Sequence, residues 1–198
     1  MRSATRDENF ELMNKDQRVR PEEDCSSHDH DHDHDQDCVH DHDDREDGFE
    51  FGADAVYRAH GIQFHHPGDW TVTEDVGPDE TTISVQSSGV SYWSLTLIDD
   101  APDPSDVIDT VLGAYRGEYP DIDVDEPPPK FRFPAVARDI DFVCLDLVNS
   151  ASVMAFRTNR RTVLVVSQGT DREWEFTRPV MESMTESLLC EEGLPGDE

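Results

Sequence analysis

Lysine is almost missing from this chain: only Lys15 and Lys130 occur, beside fourteen arginines. Against these 16 basic side chains stand 46 acidic ones, for a formal net charge of −30. Such a surface repels phosphate backbones and anionic lipid headgroups, which excludes nucleic-acid binding as an expectation and leaves cations or basic protein surfaces as partners. An arginine-over-lysine, aspartate-rich composition also suits a salt-rich interior, where ions screen the self-repulsion. No run approaches the roughly 18 apolar residues of a membrane-spanning helix. Met1-Arg2-Ser3 leads into charged residues with no apolar leader stretch, so a cytoplasmic location is expected. The four cysteines, Cys25, Cys38, Cys144 and Cys190, form no CxxC pair, which excludes a closed CxxC-type zinc site and favours reduced thiols over a disulfide framework. Phosphate-cradling glycine loops, an HExxH helix and a nucleophile elbow are all missing, and a non-enzymatic protein is expected.

What is present begins with a biased segment. His28-Asp29-His30-Asp31-His32-Asp33-His34-Asp35 is followed shortly by Cys38, His40 and His42, so six of the nine histidines fall between positions 28 and 42. Residues 1–48 hold few apolar residues, the His/Asp-rich segment almost none, and are expected to form a disordered acidic tail. Neutral imidazole is a good ligand for zinc, nickel, copper and cobalt, and carboxylates add oxygen donors. The expected metal ligands are His28, His30, His32, His34, His40 and His42, assisted by Asp29, Asp31, Asp33 and Cys38, with zinc or nickel as the bound ion. The interleaved carboxylates favour imidazolium, so protons compete with metal near neutrality and affinity should rise with pH. The alternative is a low-complexity tail that only solubilises.

Beyond Gly48 the texture becomes that of a folded domain, expected over residues 49–192 with a short disordered end at 193–198. Apolar/polar alternation predicts strand regions over 55–60, 61–65, 70–76, 81–87 and 92–99, the last with Trp93, Leu95 and Leu97 inward. Asp103-Pro104-Ser105 opens a helix whose Val107, Ile108, Val111, Leu112 and Tyr115 share a face. Three more strands, over 137–147, 152–158 and 162–168, are expected to form an antiparallel meander turning at Asn149-Ser150 and Asn159-Arg160. Val163 to Val166 is apolar on both faces and should lie centrally. Thr170 and Glu173 read as a capping box for a last helix reaching about Leu189, kinked at Pro179 or starting near Thr177. The pattern predicts an α+β domain, an antiparallel sheet flanked by helices.

The stretch Gly61-Ile62-Gln63-Phe64-His65-His66-Pro67-Gly68-Asp69-Trp70 resembles the "GFSFxYPxxW" opening of PsbP-like domains, and the same order of elements follows to about residue 190. The resemblance implies an α/β/α sandwich. It also implies a binding or assembly module rather than a catalyst, as in the extrinsic photosystem II protein and a nuclear-import factor that binds the Ran GTPase; neither role transfers to this chain.

The remaining candidates have plainer explanations. His65, His66 and Asp69 offer metal or acid/base groups, but neighbouring strand residues face opposite ways, so the two histidines are expected to be turn-flanking surface groups. Ser167, Cys144 and His60 are nucleophile or base types without a supporting motif; Cys144 is expected to be a small buried hydrophobe and Cys190 exposed. The carboxylates of Asp121, Asp123, Asp125 and Glu126 could hold calcium or form a solvated edge. Trp70, Trp93 and Trp174 are expected in the core. Two rival functions stay open, a pure protein-interaction module and an unrecognised hydrolase with a pocket on the sheet.

Overall fold

The computed structural model describes residues 53–128 and 134–193. The chain divides into two units, Met1–Asp44 and Arg45–Glu198, and the described residues all belong to the second. The tail and all ten metal ligands expected in it lie outside the described residues, as do the end at 194–198 and Pro129 of the proline connector.

Two strands, β1 (Asp54–Ala59) and β2 (Ile62–Pro67), form a hairpin in which Ala59 pairs with Ile62. Its two-residue turn has His60 at φ 54° and Gly61 at φ 76°, the doubly left-handed backbone of a tight hairpin. The short β10 (Leu189–Cys190) joins β2 to complete a three-stranded sheet. The main sheet has seven strands: β3 (Thr71–Val76), β4 (Glu80–Gln86), β5 (Tyr92–Ile98), β6 (Ile122–Asp125), β7 (Ala135–Cys144), β8 (Leu147–Arg157) and β9 (Thr162–Thr170). They run in the order β3-β4-β5-β9-β8-β7-β6 and every pairing is antiparallel. β9 is fourth of seven, where its two apolar faces require it to be.

Helices α1 (Pro104–Glu118) and α2 (Asp171–Glu186) serve two separate cores, because alternate residues of a strand face opposite ways. On one side Ile108, Leu112 and Tyr115 of α1 pack against Ile140, Phe142, Ala151, Val153 and Ala155. On the other, Met181 and Met184 of α2 join Phe64, Trp93, Leu95, Phe156 and Val165, with the small sheet closing the layer. The result is the expected α+β fold, an antiparallel sheet covered by helices on both faces. α1 starts as its sequence dictates: the Asp103 side chain accepts a hydrogen bond from the Ser105 backbone N–H at 2.9 Å, and Pro104 occupies the first turn.

Four local expectations fail. The β7–β8 turn is at Leu145-Asp146, not Asn149-Ser150, because Asn149 and Ser150 lie inside β8, where the Ser150 hydroxyl donates to Asp141 Oδ1 at 2.5 Å. α2 begins at Asp171 and runs through Pro179, so it does not start near Thr177. Thr170 is its N-cap, but no capping box forms: the Thr170 side chain makes no cap hydrogen bond, and Glu173 reaches across to another loop. α2 also ends at Glu186, so buried Leu188 follows the helix instead of lying on it.

The Leu145-Asp146 turn has φ values of 51° and 62°, and Leu145 is 80% exposed. A leucine gains nothing there and bears the left-handed steric cost that asparagine and glycine largely avoid. Leu145→Asn is therefore expected to stabilise the domain by about 1 kcal/mol in chemical denaturation. An unchanged or lower midpoint would show that the turn is not strained.

Candidate functional site

A cleft of about 520 Å³ lies between α2 and the β7–β9 part of the sheet. Strand register builds its floor in two rows. Ala137, Met154 and Val165 stand side by side as an apolar row, and Asp139, Ser152 and Ser167 form a polar row beside it. A continuous core would place apolar residues in both. The polar row continues to Trp93, where the α2 side is sealed: its indole N–H donates to Thr185 Oγ1 at 2.9 Å and its ring meets Phe64 at 4.7 Å.

α2 supplies the other wall through Trp174, Arg178 and Glu182. Arg178 spans the opening, with Nη2 donating to Asp139 Oδ2 at 3.2 Å and Nε to Glu182 Oε1 at 2.9 Å, and its guanidinium lies 5.6 Å from the Trp174 ring centre. Burial opposes the Arg178 charge, but the hydrogen bonds and charges of Glu182 and Asp139 outweigh it and hold the pKa above its ordinary value. The other carboxylate oxygen, Asp139 Oδ1, is buried and has no hydrogen-bond partner among the described residues.

Beside Asp139 the sheet face is acidic. Edge strand β6 sets Asp125 directly opposite Asp139 and Asp123 opposite Asp141, so like charges share one face of the sheet. This segment is a paired edge strand with Asp123 and Asp125 exposed, as the solvated-edge reading expects. Among the described residues no three histidine, cysteine or carboxylate groups converge as a metal site would need.

Other sequence candidates are scattered. His65 is exposed and His66 turns to the opposite face, as strand geometry requires, but His66 is not a surface group: it is 9% exposed, its Nδ1 lies 2.9 Å from the Pro67 carbonyl oxygen, and it packs beside Phe64. His60 Nε2 is 2.9 Å from Glu74 Oε2, outside the cleft. Cys144 is only partly buried, and Cys190 is half-buried instead of exposed, with burial pushing its thiol up to about 11. Trp70 and Trp93 are core residues, whereas Trp174 is only partly buried and lines the cleft. Of the three nucleophile or base candidates, Ser167 borders the cleft and Cys144 and His60 do not, and among the described residues the lining contains neither histidine nor cysteine. Asp139, Ser152 and Arg178 carry no motif, and only the register of three strands and the face of α2 brings them together.

No protein-family model matches the chain, and no curated protein matches it. Solved structures with a similar fold include the solution structure of cyanobacterial PsbP (CyanoP) from Synechocystis sp. PCC 6803, at 16% identity and a TM-score of 0.45, covering 72% of this chain and 95% of that one. LpqN of Mycobacterium tuberculosis, described as involved in cell envelope biogenesis, is similar at 11% identity and a TM-score of 0.40, covering 69% of this chain and 89% of its own. PA94 of Pseudomonas aeruginosa, a protein of unknown function described as a putative regulator, gives 13% and 0.40 with coverages of 70% and 97%. A PsbP domain thus stands among the similar structures, as a distant relation in fold; values this low assign neither site nor activity.

Proposed function

We propose that the protein is a non-enzymatic binding or accessory module whose His/Asp-rich segment captures divalent transition-metal ions. The observation that carries this is the segment's composition: His28, His30, His32, His34, His40 and His42, with Asp29, Asp31, Asp33 and Cys38 between and beside them. Three or four of these donors can gather around one zinc or nickel ion without a preformed cage, since consecutive residues lie only about 3.3–3.6 Å apart along the chain. The cleft of the folded unit suits a binding role, since it sets Arg178, paired with two carboxylates, beside an apolar floor. No described helix is long and apolar enough to cross a membrane. The location we propose is cytoplasmic, with divalent ions as the ligand and a basic protein surface as the macromolecular partner.

Equilibrium dialysis against zinc and nickel tests the metal assignment, using the full chain and a full-length variant with all six tail histidines changed to alanine. The unaltered chain is expected to retain metal at micromolar free concentration, more at pH 8 than at pH 6, because imidazolium must lose its proton to ligate. The variant should retain little at either pH. Equal retention by both would contradict the assignment and leave the segment a solubilising one.

A further inference from the structure

We infer that the cleft between α2 and strands β7–β9 is a binding site for a small organic ammonium: a ligand with an apolar body and one protonated amine. Every residue named for this site belongs to the folded unit, and metal capture has no part in it. A volume of about 520 Å³ lies in the range of small-molecule sites, and both chemical halves of such a ligand have partners. The apolar body fits over Ala137, Met154 and Val165 against the Trp174 ring. The amine meets the polar row, where Asp139 Oδ1 is a buried acceptor without a donor among the described residues and the Ser152 and Ser167 side chains stand beside it.

Charge decides the sign of the ligand. Arg178 engages Asp139 through Oδ2, and Glu182 holds its Nε, so two carboxylates already balance the guanidinium charge. Asp123, Asp125 and Asp141 lie on the same sheet face as Asp139, a like-charge array that a cation relieves and an anion worsens. The remaining arginine on the lining, Arg138, sits 3.8 Å from Glu126. An apolar body alone would leave Asp139 Oδ1 buried with no partner among the described residues, which is why the amine is part of the ligand.

Calorimetric titration of the full chain, with chelator present, tests this with three probes of one shape: phenethylamine, neutral 2-phenylethanol and anionic 3-phenylpropanoate. Phenethylamine is expected to saturate a single site and to bind at least about tenfold more tightly than the neutral probe, as one charge-assisted hydrogen bond implies. The anion should show no saturable heat. Asp139→Asn should weaken the amine by about tenfold or more. Because Asp139 also braces Arg178, Ala137→Leu, which fills the floor without touching a charge, should weaken it as well. Amide resonances that shift with the amine should be those of Asp139, Ser152, Ser167 and Trp174. Failure of the amine to saturate, equal binding of all three probes, or shifts centred elsewhere would overturn the assignment. The six-histidine variant should bind the amine unchanged, so loss of metal capture and loss of this site are separate outcomes.

Discussion

Trp93→Ala is expected to lower the unfolding free energy by about 3–5 kcal/mol, the range for truncating a fully buried tryptophan. The side chain is 0% exposed and lies in the core on the α2 side of the main sheet. Its ring meets Phe64 of the small sheet at 4.7 Å, and its indole N–H holds Thr185 of α2, so one residue ties three elements together. Alanine would leave a cavity between layers that cannot collapse independently, and Thr185 Oγ1 would lose its donor. Domains of this size are stable by roughly 5–15 kcal/mol, so the variant is expected to be partly unfolded at moderate denaturant. Thr185→Val separates the two contributions: it keeps the shape, removes the acceptor, and should cost about 1–3 kcal/mol for a buried unpaired N–H. Denaturant titration of both variants provides the check, and a Trp93→Ala cost under about 1 kcal/mol would mean that the layers do not meet through this ring.

The second large effect is expected at Glu173. Its carboxylate accepts from the Ser91 backbone N–H at 3.0 Å, the Val90 N–H at 3.1 Å and the Ser91 hydroxyl at 2.7 Å, and so fastens the β4–β5 loop to the first turn of α2. Its position near the helix N-terminus also favours a negative charge. Glu173→Ala should cost about 2 kcal/mol, since charge-assisted bonds are strong but this group is only partly buried. Gly89 gives an independent test. A Cβ added there would come within 2.2 Å of Glu173 Oε1, so Gly89→Ala must displace the carboxylate. Moving the end of a flexible side chain is sterically easy; the cost is in the hydrogen bonds it leaves. Gly89→Ala should therefore lose much of the same stability, and the double variant should fall well short of the sum. Additive losses would mean that the loop and the helix are held by something else.

Where the sequence is legible, local chemistry and tertiary structure agree. Val163 to Val166 demands a central strand and β9 is one; Trp93, Leu95 and Leu97 alternate inward as their spacing predicts; Asp103 caps α1. The expectations that fail share a cause: a residue's usual local role misleads when its partner lies far away in sequence. Glu173 resembles half of a capping box, but Ser91 outcompetes Thr170 for it from 82 positions away. Asn149-Ser150 has turn chemistry, yet the ladder absorbs both residues and the turn falls on Leu145, which turn preferences disfavour. The aspartates of 121–126 read as a solvated edge, and the edge strand they form shows only in its pairing with β7.

The cleft is the least legible feature. Asp139, Ser152 and Ser167 are ordinary polar residues on three strands, and nothing local marks them. Only the register of β7, β8 and β9 aligns them, and only the path of α2 leaves them uncovered. The histidine-rich segment is the opposite case, since the chemistry proposed for it rests on composition alone.

Metal capture is tested most directly by the imidazole resonances of the full chain, followed by NMR at pH 7.5 as zinc is added stepwise. Capture by the histidine-rich segment predicts that signals of His28, His30, His32, His34, His40 and His42 shift or broaden together at the first equivalents, while those of His60, His65 and His66 stay in place. Zinc that moved the three histidines of the folded unit first, or moved none of the nine, would contradict it.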